Sequence, residues 1–577
     1  MSSLFKLNSP TTSSFHSSAC SFQPHKFSSH LYFPRRTDNP TIACKGTSDD
    51  NQKPNSSRRE VLIGLGGLYG VSTSLGMNHS ASASPIQAPD ISKCEAPRDL
   101  PATAAKTNCC PPFKGQSIVD FKLPRKSEPL RVRRPAHAVD KEYIAKYTKA
   151  VELMKGLSAD DPRNFTQQAN VHCAYCDGAY DQVGFPDLEL QIHNSWLFFP
   201  WHRFYLYFNE RILGKLIGDD TFALPFWNWD APAGMQIPAM YTNTSSSLYD
   251  KLRNPNHQPP HLINLDYNGT EPTYTRDQQI DHNLKIMYRQ VISNGKTAEL
   301  FMGSTYRAGD KPNPGQGALE NVPHGNVHFW TGDTVNQPNG EDMGNFYSAG
   351  RDPIFFAHHA NVDRMWYVWK RLGGKHQDFT DSDWLNTSFY FYDENAQLVR
   401  VQVKDCLDNE AMRFTYQDVD IPWRNSRPTP TSTGKTPATA STVTSFPVTL
   451  DKPVTTTISR PKVSRSSTDK EDEEEVLIIE GIKLEHTKFI KFDVYINATE
   501  DDDITPNASE FAGSFVHLPH KHNKGNKAPQ HETVLKLAIS DLLEDIKAED
   551  DPTILVTLVP RSKATASIGS IKIGFSK

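Results

Sequence analysis

The hydrophobic pattern of this chain changes period once, and that change constrains its fold more than any other feature. Between Tyr143 and about Trp423, apolar residues recur at helical spacing in "EYIAKYTKAVELMKGL", "PWHRFYLYFNERILGKLIG", "QQIDHNLKIMYRQVI" and "DPIFFAHHANVDRMWYVWKRL". That rhythm lines one face of a helix with apolar side chains. Pro200 suits the first turn of the second stretch; Asp352 and Pro353 supply a cap and a first-turn residue for the fourth. After the acidic run "DKEDEEE" the pattern becomes β-branched and alternating: "VLIIEGIKL", "FIKFDVYINA", "TILVTLV", "SIGSIKIGF". Residues 425–470 between the two regimes are rich in Ser, Thr and Pro and carry too little apolar surface to bury a core. The expected fold is multidomain. A mainly α domain with a helix-bundle core spans 84–424, a linker spans 425–475, and an all-β, sandwich-like C-terminal domain spans 476–577.

The first 83 residues read as addressing signals. Residues 1–50 are rich in Ser, Thr and Pro and hold no acid before Asp38, the composition of an organelle transit peptide. Residues 51–83 place Arg58-Arg59 before the apolar "VLIGLGGLYG" and end in the small residues "SASAS", the order of a twin-arginine export signal. The run Val61 to Leu75 is too short and too rich in glycine to span a bilayer, so no membrane span is expected in a mature chain 84–577. A net charge of -5 offers no basic field for nucleic acid. Sequons such as Asn164 and Asn497 would matter only on a secretory route.

Histidines carry the chemistry. His324 and His328 in "PHGNVHFW" are four residues apart, which puts both imidazoles on one helical face. His193 and His202 are nine apart and out of phase on one continuous helix; Pro200 resolves this if His193 precedes the helix. His172 opens "HCAYCDGAY", whose Cys173-x-x-Cys176 spacing is open to a zinc clamp, a redox dithiol or haem attachment. In "FFAHHANVDR" His358 and His359 cannot face the same way, so one points inward; Asp363 is a candidate polar neighbour. Imidazole-only sets suit Zn, Cu, Fe or Ni. Two sets of three without bridging carboxylates disfavour a hydrolytic dimetal centre and favour redox copper. His517, His520 and His522 in "VHLPHKH" read as a surface loop.

These segments, together with "LPFWNWD", "SDWLNTSFYFYDENAQLVRV" and "KFDVYIN", resemble the plant polyphenol oxidases (catechol oxidases and tyrosinases), which are type-3 copper proteins. The resemblance covers nearly the whole chain. It implies two copper ions, one held by His172, His193 and His202 and the other by His324, His328 and His359. It implies oxidation of o-diphenols to o-quinones by dioxygen, with small phenols and O2 as partners. Glu320 matches a buried acid that holds a water, and Phe346 matches an aromatic over the site. Gly325 and Phe329, which follow the two histidines of "PHGNVHF", occupy positions where monophenol activity is tuned. Gly325 lacks a side chain to orient a water, so weak or absent monophenol hydroxylation is expected. The resemblance further implies Cys94–Cys110 and Cys109–Cys173 disulfides and a thioether between Cys176 and the His193 ring, leaving Cys406 unassigned. It also implies a C-terminal domain that keeps the precursor latent until a protease cuts the linker. The double signal is similar to that of chloroplast precursors carried by the twin-arginine machinery into the thylakoid lumen. An oxygen carrier, a zinc protein and a specialised flavonoid-pathway oxidase are the rival readings.

Overall fold

A computed structural model describes residues 84–577 apart from 99, 102, 114, 432–441, 444, 486, 500–503 and 520–531. Both addressing signals, residues 432–441 and 444 of the expected linker, His520 and His522 lie outside the described residues. Among the described residues no helix is long and apolar enough to cross a membrane.

Six helices carry the first domain: α1 (Lys141–Lys155), α2 (Phe165–Cys176), α3 (Phe198–Ile217), α4 (Arg276–Tyr288), α5 (Gly325–Thr331) and α6 (Ile354–Lys370). Their starts follow the sequence. Asp140 and Asn164 accept backbone N–H groups at the heads of α1 and α2, and Thr275 closes a capping box on α4. Asp352 accepts from the Ile354 amide at 2.9 Å, capping α6 as its type predicts. Gly218 ends α3 at φ 67°, a left-handed conformation that costs glycine nothing.

α3 and α6 are buried along most of their length. The charges on them are satisfied internally: Asp363 on α6 accepts from Arg203 on α3 at 2.6 Å and from Arg133 at 3.2 Å. A pair cut off from water in this way locks two helices in one register, and removing one partner leaves a costly buried charge. Asp363 therefore braces helices and contacts no imidazole, and Arg364 pairs instead with Asp230 at 3.1 Å.

Among the described residues the C-terminal domain has nine strands: β1 (Val448–Leu450), β2 (Val454–Ser459), β3 (Glu474–Leu484), β4 (Ile490–Ile496), β5 (Phe511–His517), β6 (Glu532–Ala538), β7 (Thr553–Pro560), β8 (Ala566–Ile568) and β9 (Ser570–Ser576). One sheet runs β6-β3-β8-β1, with β9 also on β3; the other runs β5-β4-β7-β2. They enclose one apolar core that includes Leu477, Ile479, Phe492, Val494, Val556 and Leu558. The sandwich thus begins inside the stretch expected to be linker. "VTL" and "VTTTIS" are threonine-rich and look like low-complexity sequence, yet threonine is β-branched and fits a half-buried pleat.

β4 shows how the sandwich meets the helical domain. Its residues alternate, with Ile490, Phe492, Val494 and Ile496 entering the sandwich core and Lys491, Asp493 and Tyr495 pointing the other way. The second face is also buried, and Tyr495 joins the core of the helical domain. Lys491 reaches Asp266 of that domain at 3.1 Å and Asp493 at 2.8 Å, and Arg561 closes on Asp493 at 2.6 Å. Polar residues that alternation alone would place in solvent here form a docking face. His517 closes β5 and is buried, which corrects its reading as a surface-loop residue. Asn164 caps α2, and Asn497 accepts from the Leu555 amide at 2.9 Å, so both sequon side chains are buried within the fold.

Candidate metal centre

The six histidines come from four stretches of the chain. His172 lies on α2 and His202 on α3, while His193 sits in the loop before α3, so Pro200 stands within the first turn of α3 as the spacing requires. His324 ends a tight turn, Glu320–His324, in which Val322 is extended; Pro323 therefore precedes α5 rather than opening it, and His328 lies one turn inside that helix. His359 projects from α6.

The rings form two triangles. Centroids of His172, His193 and His202 are 5.2–5.7 Å apart; those of His324, His328 and His359 are 4.7–5.3 Å apart. The triangles adjoin where His202 stacks on His359 at 4.3 Å. In four rings Nδ1 lies against a backbone carbonyl: His172 with Phe346 at 2.9 Å, His202 with Phe198 at 2.8 Å, His324 with Glu320 at 3.1 Å and His328 with Met343 at 2.8 Å. A carbonyl only accepts, so each Nδ1 carries the proton and each Nε2 presents a lone pair. Among the described residues Nε2 of His172, His202 and His324 is buried without a protein partner, and Nε2 of His328 faces that of His359 at 3.1 Å. Burial holds His172 down to about 3 and His328 to about 4, and pushes His202, His324 and His359 well below the usual range. Neutral imidazoles with converging lone pairs are what a metal pair needs, and no carboxylate joins either set.

Which of the adjacent histidines points to the centre was open from the sequence. Both are buried; Nδ1 of His358 accepts from the Trp229 indole at 3.1 Å, and its ring stacks on His324 at 5.4 Å. His358 also brings a ligand atom within 4.8 Å of those of His324, His328 and His359, and its Nε2 has no protein partner among the described residues.

Around the triangles, Glu320 accepts from the Asn194 amide at 2.7 Å, while its Oε2 is buried without a protein partner among the described residues. Desolvation holds its carboxyl well above the usual range. Phe346 lies flat on His193 at 4.3 Å and 7°. Cys94 is bonded to Cys110 and Cys109 to Cys173, while Cys176 and Cys406 are buried thiols. Cys176 forms a cluster with His172 and His193 whose ligand atoms lie within 4.8 Å of one another. Cys176 and Cys173 are therefore not a functional pair, which disposes of the zinc, dithiol and haem readings of Cys-x-x-Cys.

Three contacts escaped sequence reasoning because they join the two domains. Phe489, just before β4, stacks on Phe329 at 3.8 Å and 1°. Both line a cavity of about 270 Å³ together with Asn345 and Lys488. Asn321, next to Glu320, accepts from the Val516 amide at 2.8 Å and donates to the Ser514 carbonyl at 2.5 Å, pairing like an extra strand residue with β5. A Cβ on Gly325 would lie 3.2 Å from Val516 Cγ1. The only hint in the sequence is an aromatic placed directly before the alternating "IKFDVYI".

Comparison with known proteins agrees with this geometry. Family models match in succession: the common central domain of tyrosinase over 162–372, the polyphenol oxidase middle domain over 378–429 and the chloroplastic polyphenol oxidase C-terminal domain over 446–575. The chain is 57% identical over 564 residues to a chloroplastic polyphenol oxidase of Malus domestica, covering 94% of each. It is 53% identical to aureusidin synthase of Antirrhinum majus, covering 93% of this chain and 99% of that one. The solved structure of latent apple tyrosinase matches with a TM-score of 0.76 at 60% identity, over 80% of this chain and all (100%) of that one.

Proposed function

The chain belongs to the plant polyphenol oxidases, and on that premise we propose that His172, His193 and His202 hold one copper ion and His324, His328 and His359 a second. It is an oxidase of phenols, and catechols are the substrates, converted to o-quinones. When bound, the copper pair supplies the redox chemistry: two catechols give up four electrons and four protons, and one O2 becomes two waters. The observation that carries the ligand assignment is the set of inward, proton-free Nε2 atoms fixed by Nδ1–H bonds to backbone carbonyls.

The protein's own groups orient and exclude. Phe346, flat on His193, pins that imidazole from one side while its carbonyl fixes His172. Glu320 aims its second oxygen into the buried space, where it can hold a water and accept a proton. Gly325 offers no group to orient that water, so monophenol hydroxylation is weak or absent. Phe329 stands at the mouth. A thioether from Cys176 to the His193 ring would fix the ring's orientation and remove a thiol beside copper; an intact-protein mass lower by two hydrogens, with Cys176 resistant to alkylation, is the expected signature.

The sandwich places Phe489 against Phe329 and clamps β5 on the Asn321 turn, so the uncut chain is latent. A protease acting in the 425–475 linker, ahead of β1, releases it, the Ser/Thr/Pro composition there being suited to cleavage. Relatives such as that of Malus domestica are named chloroplastic. Within the chloroplast, the twin-arginine signal directs the chain to the thylakoid lumen. The similarity to aureusidin synthase favours a second reading in which the preferred phenol is a flavonoid precursor. A panel of mono- and diphenols, flavonoid precursors included, on the copper-loaded, linker-cut protein tests both readings. Catechol turnover exceeding tyrosine-type turnover supports the first; preference for the flavonoid precursor supports the second.

A further inference from the structure

Away from the two triangles, His257, His261 and Glu271 bring their ligand atoms within 4.8 Å of one another. His257 Nε2 is 2.9 Å from Glu271 Oε1, and His261 Nε2 is 3.3 Å from Oε2 of the same carboxylate. His257 is buried, whereas the side chains of His261 and Glu271 are 39% and 33% exposed, so the group is open to solvent on one side.

The hydrogen bonding at His257 is what makes this more than an ion pair. Its Nδ1 lies against the Trp330 carbonyl at 2.5 Å and must carry a proton to bond there. Between its Nε2 and the carboxylate oxygen 2.9 Å away there must then lie a positive charge, either a second ring proton or a bound cation. The Asn254 amide at 3.5 Å is too far to supply a good donor. A metal-bound histidine has this same arrangement, with the remote N–H on a backbone carbonyl and the near nitrogen turned to the ion. The pieces are also held in place. His257 stacks on the Trp330 indole at 4.3 Å and 5°, and Pro259 and Pro260 stiffen the chain between the two histidines.

We propose that His257, His261 and Glu271 form a third metal site, separate from the six-histidine centre, that takes a zinc-type divalent cation. Two imidazoles and a carboxylate with an open position are a zinc donor set, and edges near 3 Å suit tetrahedral bonds of about 2.0–2.1 Å. The cation would tie the 257–271 loop to α5 through the Trp330 carbonyl. That loop also carries Tyr267, which packs on Phe329 at 5.7 Å, so the ion would stiffen one wall of the substrate mouth without entering the reaction.

Copper-loaded full-length protein is titrated with Zn2+ by calorimetry, and with Co2+ by its visible d–d bands, in parallel with His261→Ala and Glu271→Gln. One equivalent of Zn2+ beyond the copper complement is expected, with tetrahedral cobalt bands and a raised Tm. Each variant should lose at least tenfold in zinc affinity while keeping its copper content, which shows that it has folded. No binding by the copper-loaded chain, or unchanged binding in both variants, overturns the site and leaves His257 as an imidazolium paired with Glu271.

Discussion

At the residue scale, the histidines were legible because imidazole spacing is a local property. His324 and His328 share a face, and His193 and His202 needed the break that Pro200 implies; both hold in the structure. Which of His358 and His359 faces the centre was not legible, because adjacent helical residues differ only by tertiary surroundings, here the Trp229 indole. Gly325 illustrates how a site residue acquires a second role. Gly325→Asn is expected to raise monophenol hydroxylation relative to diphenol oxidation in the linker-cut enzyme, since its amide can orient a water beside Glu320. In the uncut chain the new Cβ would meet Val516 Cγ1 at 3.2 Å, so the same substitution should raise basal catechol oxidation several-fold. Kinetics on both forms decide the matter. An unchanged substrate ratio in the cut form would remove the residue's chemical role, and unchanged latency in the uncut form its packing role.

At the element scale, helices were read correctly from period and caps, whereas β1 and β2 were not, since threonine-rich strands lack the apolar contrast that marks alternation. β4 was read as a strand, but its polar face gave no sign of being buried, because docking against another domain is not encoded in strand period. That face holds Lys491 between Asp266 and Asp493. Lys491→Ala would leave the Asp266 carboxylate buried without its cation, while Asp493 keeps Arg561, at a cost of about 3–5 kcal/mol to docking. The uncut variant should oxidise catechol without activation, with its linker-cut form indistinguishable from the cut native enzyme; persistent latency would show that the ion cluster does not hold the sandwich. Phe489→Ala should also raise uncut activity, through the mouth at Phe329 rather than through docking, so the uncut variant should unfold at the same Tm as the native uncut chain.

At the scale of the whole molecule, the same cluster sets the response to acid. Burial, with Lys491 opposing it, brings Asp266 up to about 6, so its protonation from about pH 6 towards 3.8 favours the docked chain. Burial brings His282 down to about 4, so the docked chain loses stability as pH falls from 6.5 towards 4. These two contributions have opposite signs over nearly the same window and largely offset. Asp493 is held below 3.8 by Lys491 and Arg561 against the opposing effect of burial, so its contribution is present above pH 3.8 and is lost only as pH falls past its lowered value. Latency should therefore survive brief exposure to pH 4–6.5 and fail only when the pH falls past the lowered value of Asp493. Activity assayed at neutral pH after acid pulses tests this, and activation already at pH 5.5 would contradict it.

Latency and catalysis meet in one experiment. β1 starts at Val448, so a cut ahead of it leaves the sandwich complete and removable as a unit. The direct test is O2 uptake with catechol by copper-loaded protein, uncut and then linker-cut and separated from its sandwich. Slow uptake before and at least tenfold faster uptake after is the expected result. No uptake by the separated helical domain, with both coppers present, would contradict the six-histidine oxidase, and equal uptake in the two forms would contradict the shield.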